Sequence, residues 1–287
     1  MIVSNTIMKK LGIPVLVGIP FDGQSSYLRG AGDAPSKIRE ALRCDASNSW
    51  SELGVDTGMS GVYEDSGDLA FHETAGSGTS GQEENPRQVF TAIEKGISAL
   101  LEQGKRPVSL GGDHSITYPI VKAFARRYPE LTIFHFDAHP DLYDEFEGSR
   151  LSHACPFARI MEAGLAKRLV QVGIRTINRH QREQAQRYGV EVFEMKRLPA
   201  YEKLNAAGPA YISFDMDVLD PAFAPGVSHR EPGGMSVREA IAHVEAIKGE
   251  IVGADIVEYN PVRDVDGMSA TVAAKILKEI LGKMIAK

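Results

Sequence analysis

Cysteine is scarce: Cys44 and Cys155 are the only two among 287 residues. That is too few for a disulfide scaffold and suits a reducing compartment, so a cytoplasmic location is the expectation. No apolar run approaches the ~18–20 residues that a membrane span needs. The opening stretch MIVSNTIMKKLG has no basic segment followed by a long apolar core, so it does not read as a secretory signal. Basic residues are not in excess: 32 Lys and Arg stand against 38 Asp and Glu, a net charge of −6. A general polyanion binder needs a basic face, so no nucleic-acid partner is expected, whereas a cationic substrate is compatible with this charge. Hydrophobic residues make up 43% and charged residues 24%, proportions of a globular chain, which excludes global disorder.

Short apolar runs alternate with amphipathic stretches. Strands are predicted over Ile13–Ile19, Pro107–Leu110, Leu131–Asp137, Leu169–Gly173, Val190–Phe193, Tyr211–Phe214 and Ile251–Val257. Most are nearly continuous in apolar residues, as strands covered on both faces are. One helix is predicted to open at Asp33-Ala34-Pro35, and another at Asn85-Pro86, ending near Glu102. Others are Ile116–Arg127, Val237–Ile247 behind a Ser236/Glu239 capping box, and Thr271–Ala286. The alternation predicts one open parallel α/β domain over 1–287, with ligands outside the carboxyl ends of the strands. Met59–Glu84, rich in Gly, Ser, Thr and Glu, reads as a surface loop.

Three segments follow predicted strands: Gly111-Gly112-Asp113-His114-Ser115, Asp137-Ala138-His139-Pro140-Asp141 and Asp215-Met216-Asp217. Alternate side chains of an extended chain point the same way, so Asp137, His139 and Asp141 face one spot, and Asp215 and Asp217 repeat the arrangement. Taken alone, each segment reads as a cap or a turn. Together, at the edge where such sheets bind ligands, they read as a metal site. Four carboxylates cannot stay ionised at close range without cations. A pair of divalent ions balances them, and oxygen-plus-imidazole ligation without thiolate favours Mn²⁺, with Ni²⁺, Co²⁺ or Fe²⁺ as alternatives. A phosphoesterase would need a later Gly-Asn-His-Asp/Glu segment, which this sequence lacks.

GGDHS, DAHPD and SFDMDVLDP, in this order, resemble the ureohydrolase family of arginase, agmatinase and their relatives. The likeness extends to Gly18–Asp22, Gly173–Arg175, Glu231–Gly234 and Asp255–Glu258, and in YDEFEGSRLSHACPFARIME it is greatest to plant-type arginases and bacterial agmatinase-like proteins. The resemblance implies a three-layer α/β/α sandwich with a mainly parallel sheet, a homotrimer or homohexamer, and two Mn²⁺ per subunit held by His114, Asp137, His139, Asp141, Asp215 and Asp217. It further implies hydrolysis of a guanidino compound to urea and an amine. Asp141 would relay a proton, Glu258 would pair with the guanidinium, and His153 would act as proton shuttle. A catalytically silent metal-binding homologue is the non-enzymatic alternative.

The resemblance also bears on the substrate. Animal-type arginases carry an Asn and an Asp where this chain has Tyr143 and Asn178. Asp144, Glu145 and Glu147 against Arg150 suggest an acidic mouth, which favours agmatine, with arginine next and other guanidino compounds after it. Tyr143, Ser149, Asn178 and His229 are the candidate substrate-binding residues. His135 reads as a satisfied buried histidine, and His72, His180 and His243 as surface residues.

Overall fold

Successive strand residues point to opposite faces, and here both faces are covered. The structure, a computed structural model, describes residues 12–71 and 85–286. Among the described residues eight strands form one sheet: β1 (Pro14–Gly18), β2 (Glu64–Asp68), β3 (Arg106–Leu110), β4 (Thr132–Phe136), β5 (Arg168–Ile174), β6 (Glu191–Glu194), β7 (Asn205–Asp215) and β8 (Lys248–Val257). Their order is β2-β1-β3-β8-β7-β4-β5-β6, and every pairing is parallel. The helices are α1 (Ala34–Leu42), α2 (Pro86–Glu102), α3 (Thr117–Arg127), α4 (Pro156–Glu162), α5 (Arg179–Tyr188), α6 (Val237–Ala246) and α7 (Met268–Ile285).

Two cores flank the sheet. Leu16, Val108, Phe134 and Ile212 pack against α1, α6 and α7. Val17, Ile133, Leu169 and Tyr211 face α2, α3, α4 and α5 on the other side. This is the α/β/α sandwich expected from the sequence. Its middle strands, β3-β8-β7-β4, place four carboxyl ends side by side, and the three metal-type segments and Glu258 leave from those ends.

Some elements depart from the sequence reading. Met59–Glu84 is not all loop: it contains β2, whose residues Glu64–Asp68 are exposed throughout. No apolar pattern marks this edge strand. Backbone pairing to β1, the Arg39 guanidinium on Asp65 and Asp68, and Ser66 Oγ donating to Leu16 O at 2.9 Å hold it. The rest of that stretch from His72 onward, and the first eleven residues, lie outside the described residues. α4 and α5 were not expected. α5 buries only Gln181, Gln184 and Ala185, so it lacks an apolar stripe, but its Asn178/Gln181 capping box is complete. His243 is not a surface residue. It lies on the buried face of α6 with Ala240, Ile241 and Val244, its ring 4.5 Å from that of Tyr201, its Nδ1 2.7 Å from Glu239 O.

Candidate metal centre

Backbone constraints aim the ligands. A Cβ on Gly112 would lie 1.8 Å from Phe21 O, so only glycine lets the chain pass after β3. Asp113 then caps Ser115 N at 3.0 Å and accepts Gln24 N at 2.8 Å, fixing the turn that carries His114 inward. After β7, Asp215 Oδ1 accepts Asp217 N at 2.7 Å. Asp141 and Glu258 sit at φ 50° and 62°, a left-handed conformation that is strained for both residue types.

The six candidate ligands converge as two groups sharing Asp137. In the first, His114 Nδ1 stands 3.1 Å from each of Asp137 Oδ2, Asp141 Oδ2 and Asp215 Oδ2. This nitrogen is buried and has no hydrogen-bond partner. Cis ligands of an octahedral cation at about 2.1–2.4 Å stand about 3.0–3.4 Å apart, so these atoms are spaced as one ion's ligand set. In the second group, His139 Nδ1 lies 2.9 Å from Asp217 Oδ2 and 3.5 Å from Asp137 Oδ1. Burial, then the charges of Asp217 and Asp137, push the Asp215 carboxyl well above its usual range, and burial and Asp137 raise Asp217. The cluster lacks positive charge, and divalent ions supply it.

Neighbouring side chains fix the histidine tautomers. Asp255, fully buried on β8, accepts the hydroxyls of Thr117 at 2.9 Å, Tyr211 at 2.8 Å and Ser213 at 2.7 Å. Ser213 has thus given its proton away, and its oxygen accepts from His114 Nε2 at 3.0 Å. That leaves the Nδ1 lone pair toward the carboxylates. His135 is the satisfied buried histidine expected. Its Nδ1 accepts from Gln171 at 3.1 Å, its Nε2 donates to Asp137 at 2.7 Å, and Phe157 stacks on it at 3.9 Å. The Arg175 guanidinium donates to the carbonyls of Asp217 at 2.6 Å, Val218 at 3.1 Å and Glu231 at 2.6 Å, stapling the Asp217 turn to the 231 loop. Sequence reasoning assigned no role to Ser213, Asp255 or Arg175, although all three lie inside quoted motif segments.

A cavity of about 200 Å³ opens over the carboxylates. His153, Glu258, Tyr143, Asn178 and His229 line it, beside Asp141, His139, Asp215 and Asp217. Glu258 Oε1 accepts His114 N at 2.9 Å and lies 3.2 Å from His153 Nδ1, while Ser26 Oγ lies 2.8 Å from His153 Nε2. Burial opposes charge on His153, but Glu258 outweighs it and pushes the imidazole up to about 9. The His229 ring stacks on that of His153 at 5.1 Å. Asn178 serves first as the α5 cap and donates from Nδ2 to the Tyr143 hydroxyl at 2.6 Å. Ser149 is not brought to this wall: its hydroxyl donates to Gln24 Oε1 at 3.1 Å. His180, exposed, stacks on Tyr143 at 5.8 Å.

Residues 14–282 match the family described as the arginase family. The chain belongs to that family. "Arginase 1, mitochondrial" of Arabidopsis thaliana is 45% identical over 279 residues, covering 94% of this chain and 80% of the relative. "Agmatinase" of Bacillus subtilis (strain 168) is 34% identical over 273 residues, covering 93% of this chain and 90% of the relative. The solved structure "Arginase from Medicago truncatula" superposes with a TM-score of 0.87 at 42% identity, over 98% of this chain and 91% of that one. Hydrolases of this family act on guanidino C–N bonds and use a binuclear metal centre. The orphaned His114 Nδ1, the split use of the Asp137 oxygens and the carboxylate excess all fit such a pair of ions.

Proposed function

We propose that this chain hydrolyses arginine to urea and ornithine, with agmatine as the lesser substrate. The support is the 45% identity to a plant arginase, against 34% to a bacterial agmatinase. The acidic mouth that favoured agmatine is weaker than a count of its carboxylates suggests. Asp144 is taken up by Arg150 and Arg159 at 2.7 Å each, and Arg150 also donates to Glu162 at 2.8 Å. Neither Glu145 nor Glu147 lines the cavity. Its rim offers Tyr143, Thr176 and Asn178 instead. Because Asn178 donates to the Tyr143 oxygen, the phenolic proton is left to donate to a substrate carboxylate.

His114, Asp137, His139, Asp141, Asp215 and Asp217 would hold the two ions, with Mn²⁺ favoured by the oxygen-and-imidazole donor set. When bound, the ions supply Lewis acidity and lower the pKa of water to make a nucleophile at neutral pH. The remaining work falls to the chain. The Glu258 carboxylate, kept ionised against its burial by His153, accepts the guanidinium N–H groups. Asp141 accepts the proton that the attacking water loses. His153, raised by Glu258 and clamped between Glu258 and Ser26, donates a proton to the departing amine nitrogen. Urea release by Mn²⁺-loaded enzyme, with arginine and agmatine in parallel, tests the reading. A kcat/KM higher for arginine by about tenfold or more is expected. A preference for agmatine overturns the substrate assignment and leaves the metal chemistry standing.

A further inference from the structure

A second cavity, of about 240 Å³, lies between α1, the 47–63 segment and α7 and shares no wall residue with the catalytic one. Its wall carries Lys275 and Lys278 and no Asp or Glu, in a chain of net charge −6. The two lysines differ. Lys275 is paired with Glu52 and Glu279. Lys278 is only 7% exposed, and its Nζ donates solely to Asn48 O at 2.7 Å, with no carboxylate within 4 Å among the described residues. An ammonium has three donors. This one has a single neutral acceptor and no directly paired carboxylate, Glu52 and Glu279 acting on it only from beyond ion-pair distance, so its other protons lack acceptors. The apolar part of the wall is formed by Ala41 and Leu42 on α1 and by Ala274, one turn before Lys278 on α7, and the hydroxyls of Ser47, Ser49, Thr57 and Thr271 complete it.

We propose that this cavity is a binding site for a small aliphatic carboxylate, its anionic head on Lys278 and its chain on Ala41, Leu42 and Ala274. The volume equals that of about eight water molecules, room for an acid of about seven heavy atoms. The sole tryptophan, Trp50, reports on the site: its backbone N–H donates to Asn48 Oδ1 at 2.9 Å, and Asn48 is the residue that holds Lys278.

The test is a titration of the Mn²⁺-loaded enzyme with valerate, read by Trp50 fluorescence and by thermal shift, so that a silent fluorophore does not hide binding. A saturable response in the millimolar range is expected, and none from the neutral isostere valeramide. Lys278→Met, which keeps the chain and removes the charge, should weaken valerate binding about tenfold or more and leave kcat/KM for urea release unchanged. Ala274→Leu, which fills the apolar side and spares Lys278, should also remove binding, and serves if Lys278→Met does not fold. The proposal is overturned by no response to valerate in either readout, by equal responses to valerate and valeramide, or by undiminished binding in a folded variant. A response to inorganic phosphate but not to valerate overturns the carboxylate assignment.

Discussion

Asp255→Asn perturbs the centre without touching a ligand. Thr117 and Tyr211 both donate to Oδ2 of Asp255, and Ser213 donates to Oδ1. An asparagine must turn its NH₂ toward one side. Facing Thr117 and Tyr211 it strands two donors, each at a cost of about 1–3 kcal/mol. Facing Ser213 it strands none, because the serine oxygen then accepts and its proton swings to His114 Nε2. The second arrangement is the cheaper one, and it moves the imidazole proton to Nδ1, the atom 3.1 Å from three carboxylate oxygens. The lone pair for the ion is lost. Disturbing such an outer partner costs about 10–100-fold in metal affinity, about 1.4–2.7 kcal/mol. Titration of metal-stripped enzyme with Mn²⁺ by calorimetry measures this directly, with circular dichroism as the check on folding. A folded Asp255→Asn protein that binds Mn²⁺ as tightly as the parent would refute the tautomer argument.

Further outcomes are expected from other parts of the chain. Glu258→Gln removes a charge-assisted acceptor worth about 1.5–3 kcal/mol, so kcat/KM should fall about 10–150-fold with the bound-metal count unchanged; an unaltered kcat/KM would remove Glu258 from substrate binding. Burial pushes the Cys155 thiol up to about 12, while Cys44 is exposed. Iodoacetamide at about pH 8 should therefore add one label per native chain, and a second label before unfolding would contradict this placement. Arg238, with Lys275, holds the Glu52 carboxyl down from the usual 4.5 to about 2. A depressed carboxyl adds stability above its unfolded pKa and loses it as pH falls through the folded one. Urea unfolding should show the parent losing stability more steeply than Glu52→Gln between pH 4.5 and 2, and parallel curves would count against the pair.

The layout of the candidate metal centre was legible because two signals coincide. Apolar runs marked the middle strands, and ligand-type residues at two-residue spacing marked their carboxyl ends, so Asp137, His139, Asp141, Asp215 and Asp217 could be placed on one edge before any coordinates. What escaped lacks such a signal. β2 and α5 have no apolar periodicity, being held by backbone pairing and by a cap. Ser213 and Asp255 are polar residues inside buried strands, and their meaning lies in mutual contact across β7 and β8, not in their spacing. The acidic mouth was overstated for a related reason. Counting charges in the 144–150 loop does not reveal that Arg159, on α4, reaches back to Asp144. His243 was readable, since the spacing of Ala240, Ile241, His243 and Val244 already marks one helix face.

What matters most is the proposed catalytic ion pair held by the two ligand groups that share Asp137. Its most direct test is urea release from arginine as metal-stripped enzyme is titrated with Mn²⁺, beside His114→Ala. Activity that is absent without metal, climbs to a plateau at two equivalents per chain, and is lost in His114→Ala together with one bound ion is the expected result. Full activity in the metal-free protein, a plateau at one equivalent, or an active His114→Ala enzyme with both ions bound would contradict it.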